Sequence, residues 1–498
     1  MLARSRQNKR PVFLYAGVPL ALTLLLWLSS PYEVSMSQAG AAFILAWVPW
    51  ALYQEWKQGD RREIPLFVFI TGMFWLSYAV PLFLSSRYIA LIDGKHHLSE
   101  DSLRNSLYLA VFGVFALLGG MRVAGWSQWE PGTSFDVSSN PSRWSYLRLV
   151  LVCGVLLRFF LPIYAWGPEG RQIITNLETI LPAVTFAILF RYWLRGKCSG
   201  LDRFLVLAYI ATALLLGISS GWLGSIVGLG LICAAIYACE RRKLPFTAAL
   251  VILPVILFLQ PAKGEFRNRF WLSESSTGYL GRTTFWVNHS LRMWSTAFAD
   301  PNGEAARDLA DNTLSRVSLL QQTANVMERT PAIVPYQYGR LYSYVAVTLI
   351  PRFAWPGKPS MNDANRWYQV SYRLTSPNDL ELVSIAVGTL CESYINFGWF
   401  GPLLVMFPLG VFVELFKRVF LRHNSGVLLN SLGVVLLPGL INIESQLAQY
   451  VAGLVQQVAI AVIVLMPALE FRRDRRLVGW QVRPIIPSAV SRKDLRPS

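Results

Sequence analysis

The sequence predicts an all-α integral membrane protein with about twelve transmembrane helices and one large, partly helical loop on one side of the membrane. Of the 498 residues, 53% are hydrophobic and only 15% are charged. The hydrophobic residues are gathered into segments of roughly 17–22 residues, each long enough as an α-helix to cross about 30 Å of hydrocarbon. Lysines and arginines alternate in density between these segments, which indicates a defined membrane topology.

Twelve hydrophobic segments are expected to cross the membrane. They are residues 12–29, 38–54, 65–84, 103–121, 147–165, 176–194, 204–220, 222–238, 245–260, 399–416, 427–444 and 449–468. Residues 1–260 thus hold nine helices, 261–398 form the large loop, 399–470 hold three helices, and 471–498 are a basic tail. The first segment follows a basic stretch, but no small-x-small cleavage site follows Trp27, so we expect a retained helix rather than a signal peptide.

Lysines and arginines accumulate in every second connection between the predicted helices. These groups are Arg4/Arg6/Lys9/Arg10, Lys57/Arg61/Arg62, Arg122/Arg143, Arg191/Arg195/Lys197/Arg203, Arg241/Arg242/Lys243, Lys417/Arg418/Arg422 and Arg472/Arg473/Arg475/Arg476. Because cationic loops resist translocation, we expect both termini in the cytoplasm and residues 261–398 outside. The net charge of +17 is therefore mainly a topology signal, and a nucleic-acid partner is not expected.

The sequence carries no signal for metal-dependent or nucleotide-dependent chemistry. It contains no Asp-x-Asp, no His-Glu-x-x-His and no phosphate-binding glycine loop with its lysine. The five cysteines show neither a disulfide framework nor the spacing of metal ligands. Asp308 with Asp311, or Asp379 with Glu381, could hold a divalent ion, but paired surface carboxylates usually only solubilise a loop. We expect no metal and no cofactor.

The loop of residues 261–398 is too long for a simple connection and too aromatic for a disordered one. Its basic residues are eleven arginines and two lysines, Lys263 and Lys358. Guanidinium groups form two-pronged hydrogen bonds to phosphate oxygens, so this bias favours an anionic, diphosphate-like ligand. Pairing of the same arginines with acidic residues of the loop or with lipid headgroups is the alternative.

Lys263, Arg267 and Arg269 follow the ninth hydrophobic segment on the predicted outer side, against the usual charge rule. The phosphates of a polyprenyl diphosphate carrier would lie at that depth, within reach of these side chains. Anchoring to anionic lipid headgroups is the alternative explanation.

Residues 282–298 have the spacing of a helix at the membrane surface. Arg282, Trp286, His289 and Met293 fall on one face. His289 could accept a proton or donate a hydrogen bond to a diphosphate. A purely structural histidine is the alternative.

Residues 351–359 are stiffened by three prolines, which forbid a continuous helix. This segment would present Arg352 and Lys358, with Trp355 placed to lie in the interface or to stack on a sugar. Glu392 ends a short apolar stretch just before the tenth predicted helix, and a carboxylate held at the membrane surface could act as a general base. The alternative for the proline-rich segment is a purely structural clamp. The alternative for Glu392 is a salt bridge that fixes Arg352 or another arginine.

Two sequence elements in this loop resemble those of a known family. Pro351, Arg352, Trp355, Pro356, Lys358 and Pro359 form a Pro-Arg-x-x-Trp-Pro-x-Lys-Pro element, and Glu392, Tyr394, Asn396, Phe397 and Gly398 form Glu-x-Tyr-x-Asn-Phe-Gly. The chain thereby resembles the bacterial O-antigen and oligosaccharide-repeat-unit polymerases. It departs from them at Gly357, where an acidic residue is expected.

The resemblance implies a metal-independent membrane glycosyltransferase with GT-C-like architecture in the bacterial inner membrane. Such an enzyme transfers a glycan from undecaprenyl diphosphate onto a carrier-linked repeat unit of an O-antigen or exopolysaccharide at the periplasmic face. A flippase, a chain-length-regulating co-polymerase and membrane lipids would be its partners. The implied roles are charge neutralisation by Arg352, Arg267 and Arg316, proton acceptance by Glu392 or His289, and substrate binding by Lys263, Arg282, Trp355 and Lys358.

Two other functions remain open from the sequence. An O-antigen ligase-like transferase would use the same donor with a lipid A core acceptor. A non-enzymatic polysaccharide or lipid transporter would be expected to concentrate its charges within the membrane spans rather than in one outer loop.

Overall fold

The structure is a computed structural model of a mostly helical chain. It describes residues 16–59, 63–84, 87–126, 133–137, 140–160, 168–243, 245–271, 277–300, 303–304, 306, 309, 318–350, 355, 357–360, 362–380, 384–422 and 425–473.

The helices before the large loop correspond to the first nine predicted spans. They are α1 (Gly17–Leu28), α2 (Met36–Gln58), α3 (Leu66–Phe74) continued by a π-helical turn (Trp75–Ala79) and α4 (Val80–Leu84), α5 (Glu100–Trp126), α6 (Pro141–Phe160), α7 (Pro168–Leu194), α8 (Gly200–Ser219), α9 (Leu223–Arg241) and α10 (Phe246–Leu259).

The large loop and the C-terminal part contain the remaining helices. They are α11 (Lys263–Phe270), α12 (Tyr279–Ala299), α13 (Leu320–Arg329), α14 (Ser343–Leu349), α15 (Asp363–Ser371), α16 (Thr389–Phe397), α17 (Gly401–Phe420), α18 (Val427–Ile441) and α19 (Leu447–Leu465). Short 3₁₀ turns cover Arg340–Tyr342, Pro377–Asp379, Gly398–Phe400 and Met466–Ala468. The large loop is thus partly helical, as predicted.

Within the described residues, seven helical stretches are long and apolar enough to cross a membrane. They are Leu66–Leu84, Glu100–Trp126, Ile174–Leu194, Gly200–Ser219, Leu223–Arg241, Thr389–Phe420 and Leu447–Ala468. Two shorter apolar helices are Gly17–Leu28 and Val427–Ile441. The prediction of a helical, membrane-embedded protein is confirmed. A helix lies in each of the twelve predicted segments, but the number of crossings stays a prediction.

Two small antiparallel sheets, which were not predicted, accompany the helices of this mostly helical fold. Strands β1 (Tyr88–Leu91) and β2 (Gly94–His97) form a hairpin. Strand β3 (Thr133–Val137) pairs with β4 (Leu469–Arg473), with Phe135 opposite Phe471. The strands are only four or five residues long, too short for their alternation to be recognised in the sequence. The predicted basic tail from residue 471 therefore begins inside a strand.

At one end of the bundle, ion pairs join residues in or next to connections that were predicted to be cytoplasmic. Arg122 pairs with Glu55 at 3.1 Å, Arg148 with Asp202 at 2.7 Å, and Arg195 with Glu240 at 2.8 Å. The β3–β4 sheet joins the connection that contains Arg122 to the segment after the last predicted span, which was also predicted to be cytoplasmic.

At the other end, the β1–β2 hairpin packs against the large loop. Glu328 on α13 accepts hydrogen bonds from the Ser99 N–H and the Ser102 hydroxyl, and its Oε2 lies 2.9 Å from His96 Nε2. Burial opposes ionisation of Glu328, but these hydrogen bonds outweigh it and hold the pKa of Glu328 below its usual value. Arg373 pairs with Asp93 at 2.8 Å on the same hairpin. These contacts join two connections that were both predicted to lie outside.

The π-helical turn receives the large loop where it returns to the bundle. The Leu319 N–H donates to the Ser77 carbonyl at 3.0 Å, and the Tyr78 hydroxyl lies 3.3 Å from Thr323 Oγ1. A π turn interrupts the regular ladder of helical hydrogen bonds, so it can offer a carbonyl to a neighbouring segment. The start of α13 is consequently buried against the membrane helices.

Helices α5 and α17 are in direct backbone contact through glycines. An added Cβ at Gly120 would lie 2.0 Å from the Phe407 carbonyl oxygen, and one at Gly410 would lie 2.0 Å from that of Leu117. Lipid supplies no hydrophobic force between helices, so such close packing by small residues holds them together. This contact fixes α17, and with it the short α16 that precedes it.

We expect Gly120→Ala to destabilise the protein, because the added methyl group collides with a backbone carbonyl that cannot rotate away. Overpacking of this kind costs about 1–3 kcal/mol. Gly125→Ala in the same helix is the matched control, since nothing lies within 4 Å of the position that its methyl group would take. The measurement is the melting temperature of each purified variant in detergent. Equal melting temperatures for the two alanine variants would contradict the contact.

Candidate functional site

Two glycines with positive φ delimit α16. Gly388 has φ 77° and Gly398 has φ 59°, a backbone region that other residues rarely adopt. A Cβ at Gly398 would also lie 3.0 Å from the Tyr336 hydroxyl oxygen. The last glycine of the Glu-x-Tyr-x-Asn-Phe-Gly element is therefore required by the turn that separates α16 from α17. This turn holds Glu392 on a short helix that is distinct from the long one.

Glu392 is fully buried at the centre of this arrangement. Its Oε2 accepts a hydrogen bond of 2.8 Å from the N–H of Leu447, the first residue of α19. A helix N-terminus presents free N–H groups and a positive dipole end, which suit a carboxylate. The other carboxylate oxygen, Oε1, has no hydrogen-bond partner among the described residues.

The segment around Tyr338 and Gly339 is hydrogen-bonded to the end of α16. The N–H groups of Gln337 and Tyr338 donate to the carbonyls of Ile395 and Asn396, both at 3.0 Å. The Gly339 N–H donates to the Asn396 side-chain oxygen at 3.0 Å. Asn396 also donates to the Glu392 carbonyl at 2.9 Å. Asn396 thus joins the two parts of the loop beside Glu392.

Tyr342 lies next to this junction. Its ring stacks with that of Phe397 at a centroid distance of 6.1 Å. Burial raises the pKa of Tyr342 well above its usual value, and the neighbouring Glu392 carboxylate adds to this effect. The nearby Asn396 side chain lowers the pKa of Tyr342 and so offsets a part of this increase. The geometry between the two groups is not that of a hydrogen bond. Tyr342 is therefore a neutral phenol at physiological pH and can donate a hydrogen bond.

The connection between α18 and α19 closes the other side of α16. The Gly388 N–H donates to the Glu444 carbonyl at 3.0 Å, and the Thr389 hydroxyl donates to the Ser445 carbonyl at 2.7 Å. Gln446 follows directly and is only 1% exposed. The residues around Glu392 therefore come from three separate stretches of the chain.

The described part of the proline-rich segment lies close to this arrangement. Lys358 donates to the carbonyls of Ile350 at 2.7 Å and Val347 at 3.3 Å, at the C-terminal end of α14. Helix α14 packs against α19. Gln449, two residues after Leu447, donates to the Asn362 side chain at 3.1 Å. Trp355 is 42% exposed beside them.

The cationic residues of α11 and α12 form a second group, built on aromatic rings. Arg267 lies 4.2 Å from the centre of the Trp271 ring, and Lys263 lies 5.7 Å from that of Trp222. Such cation–π contacts hold the charged groups in place on the aromatic rings.

Arg282 and His289 belong to the same group. Arg282 lies 5.5 Å from the Phe270 ring, and His289 stacks with Phe285 at 5.7 Å. The predicted helix over 282–298 is confirmed, and it extends over Tyr279–Ala299. Its Trp286 is fully buried and donates to the Leu259 carbonyl at 2.9 Å, which fixes α12 on α10.

The structure thus divides the predicted site residues into two groups. Glu392 lies on α16, whose apolar side chains belong to the main hydrophobic core, and Lys358 donates hydrogen bonds to the Ile350 carbonyl and, through its N–H, to the Trp355 carbonyl. Lys263, Arg267, Arg282 and His289 surround a second core formed by α9 to α12. Glu392 and His289, which were alternatives for one role, are in different groups. Arg316 and Arg352 lie outside the described residues, as do Pro351 and Pro356.

Two residues beside Glu392, Tyr342 and Gln446, were not identified from the sequence, and Asn396 was identified only as a member of the Glu-x-Tyr-x-Asn-Phe-Gly element, without a role. Tyr342 follows Tyr338–Gly339 closely. Gln446 ends a short polar connection between two apolar helices. Its polarity is visible in the sequence, but its contact with α16 depends on tertiary packing. In the part of the chain that the structure describes, no three His, Cys, Asp or Glu side chains are grouped so that they could hold a metal ion.

Comparison with known proteins gives a family but no characterised relative. No curated protein and no solved structure matches the chain. One family model matches residues 147–419, which is more than half of the chain and includes both groups of site residues. The protein therefore belongs to the family of the domain of unknown function DUF8712.

Proposed function

We propose that the protein is a membrane glycosyltransferase of the repeat-unit polymerase type. It would transfer a glycan from undecaprenyl diphosphate onto the terminal sugar of a carrier-linked repeat unit of an O-antigen or exopolysaccharide. The contact of Gly339 and Tyr338 with Asn396 supports this proposal most directly. It brings the Glu-x-Tyr-x-Asn-Phe-Gly element together with the loop segment that leads into the proline-rich element.

Glu392 is the general base of the proposed reaction. The attacking hydroxyl group gives its proton to Glu392 Oε1, the oxygen that has no partner among the described residues. The hydroxyl oxygen bonds to the anomeric carbon while the bond from that carbon to the diphosphate breaks. Arg352 and Arg316 neutralise the charge that develops on the departing diphosphate. Since Glu392 is fully buried, the acceptor reaches it by displacing the neighbouring loop segments.

The cationic group on α11 and α12 holds the diphosphate of the donor at the membrane surface. Its arginines and Lys263 are placed on aromatic rings beside an amphipathic helix. That helix exposes Leu280 and Phe298, which are 74% and 73% accessible, as an interfacial helix would. His289 then helps to bind the donor.

We also propose a twelve-span, GT-C-like topology in the bacterial inner membrane. Both termini are cytoplasmic and the large loop is periplasmic. The ion pairs at the two ends of the bundle support the grouping of segments on each side, because each pair joins residues in or next to connections with the same predicted side, and the basic connections favour the cytoplasm for one of the two sides. A flippase would supply the carrier-linked units, and a co-polymerase would set the chain length.

Purified protein in lipid nanodiscs, given carrier-linked repeat units from a producing strain, should form a ladder of products separated by one repeat unit. The ladder is read by gel electrophoresis and mass spectrometry. Heat-inactivated protein is the control. Transfer only to an added lipid A core would indicate a ligase instead. Flux of the units across vesicles without any transfer would indicate a transporter.

Accessibility of introduced cysteines tests the orientation. In a background lacking the five native cysteines, Lys95→Cys and Gly357→Cys should react with a membrane-impermeant maleimide in intact spheroplasts, since both positions are exposed at the proposed periplasmic end. Lys197→Cys, exposed at the opposite end, should react only after the membrane is opened. The reverse pattern would invert the topology.

Glu392→Gln and His289→Ala distinguish the base from the donor site. Glutamine keeps the shape and the Leu447 hydrogen bond but cannot accept a proton, so turnover should fall by about 100-fold or more. Donor binding should be retained. His289→Ala should weaken donor binding and leave the turnover number at saturation within a few-fold.

The measurements for these two variants are single-turnover rates and donor titrations, with melting temperatures to confirm folding. Wild-type rates in Glu392→Gln would remove Glu392 from the chemistry. A collapse of turnover only in His289→Ala would transfer the role of base to His289.

A further inference from the structure

Three side chains around the start of α19 have buried polar atoms without hydrogen-bond partners among the described residues. These atoms are Glu392 Oε1, the Tyr342 hydroxyl oxygen, and both amide atoms of Gln446. Glu392 is fully buried and Gln446 is 1% exposed. Buried polar groups are normally satisfied, so three such groups in one place need an explanation.

The three groups are linked through Glu392 and the start of α19. Leu447 donates to Glu392 at 2.8 Å, and Gln446 is the residue directly before it. Tyr342 faces Glu392 from the segment that packs on the other end of α16. The three residues come from different parts of the chain, which excludes a local turn as the reason for their meeting.

Fold stability gives no reason for this arrangement. An unpartnered buried polar atom lowers stability, and apolar side chains of the same size would fill the space without that cost. The hydrogen-bonding capacity of the cluster is balanced: the phenol and the carboxamide can donate, and the carboxylate and the carboxamide oxygen can accept. Such a set matches a ligand whose groups both donate and accept.

We propose that Tyr342, Gln446 and Glu392 form the binding site for the hydroxyl groups of the acceptor sugar. The inference rests on the proposed function and assigns its acceptor subsite. Tyr342 and the Gln446 amide donate to hydroxyl oxygens of the sugar, and the attacking hydroxyl donates to Glu392 Oε1.

A neutral sugar suits this cluster better than the diphosphate does. The cluster contains one carboxylate, one phenol and one carboxamide. A carboxylate repels a negatively charged phosphate that lies within hydrogen-bonding distance. The raised pKa of Tyr342 keeps the phenol neutral and able to donate. The cationic group on α11 and α12 has the opposite character, so the donor diphosphate and the acceptor hydroxyl groups are recognised at chemically distinct places.

Tyr342→Phe and Gln446→Leu test this assignment, because both variants remove atoms that make no hydrogen bond to the described residues. Their melting temperatures should equal or exceed that of the wild type. The KM for the carrier-linked acceptor should rise by about tenfold in each, since each loses one hydrogen bond to the substrate. The KM for the donor should not change. Tyr344→Phe, close by in sequence, is the matched control.

A second measurement does not depend on turnover. Saturation-transfer NMR with methyl glucoside, methyl galactoside and methyl mannoside should show binding to the wild type in nanodiscs and weaker binding to Tyr342→Phe. Lower melting temperatures with unchanged acceptor KM and unchanged glycoside binding would show that the cluster is purely structural and would overturn the inference.

The two proposals can fail separately. A product ladder with unchanged acceptor KM in both variants overturns the acceptor site and leaves the polymerase function intact. Absence of any ladder overturns the polymerase function. If no ladder forms, glycoside binding to the wild type that is lost in Tyr342→Phe would still place a carbohydrate in this cluster. If no ladder forms and the wild type binds no glycoside, both the polymerase function and the acceptor site are overturned.

Discussion

The backbone contact between α5 and α17 is the constraint on which the rest of the site depends. Gly120 and Gly410 allow each helix to touch a carbonyl of the other, and no side chain larger than hydrogen fits at either position. In lipid, such contacts replace the hydrophobic force that holds soluble helices together. Because α17 is fixed on α5, the turn at Gly398 fixes α16 as well. The position of Glu392 therefore depends on the packing of α5 against α17, several helical turns away from Glu392 along the chain.

Around Glu392, backbone hydrogen bonds hold three distant segments together. The stretch around Gly339, the helix α16 and the connection before α19 have no regular secondary structure in common, yet their N–H and carbonyl groups pair with one another. Irregular backbone near a membrane is stable only where such pairing occurs. The side chains of Asn396 and Thr389 complete the pairing. The unpartnered atoms of Glu392, Tyr342 and Gln446 are exceptions within an otherwise satisfied network.

The sequence predicted the helices well because a membrane span is a property of one continuous segment. Hydrophobic length is sufficient to predict α5 or α17, and the alternation of basic connections agrees with the ion pairs found at each end. The sequence could not predict which distant segments meet. His289 and Glu392 share one loop, but Trp286 anchors the helix of His289 on α10, whereas Glu392 lies between α5 and α19. Gln446 was missed for the same reason, and β3 and β4 because strands of five residues, far apart in the chain, have no local signal.

The division into two groups is physically suited to a reaction between two carrier-linked substrates. A diphosphate requires fixed positive charge at the membrane surface, and Arg267 and Lys263 are held on aromatic rings. Deprotonation of a sugar hydroxyl instead requires a carboxylate away from those cations, since a neighbouring arginine would stabilise its ionised form and make it a weaker base. Glu392 meets this requirement: a neutral backbone N–H, rather than a guanidinium, is the described partner of its carboxylate. In the proposed chemistry, the cations of α11 and α12 bind the diphosphate, while no guanidinium is among the described partners of the base.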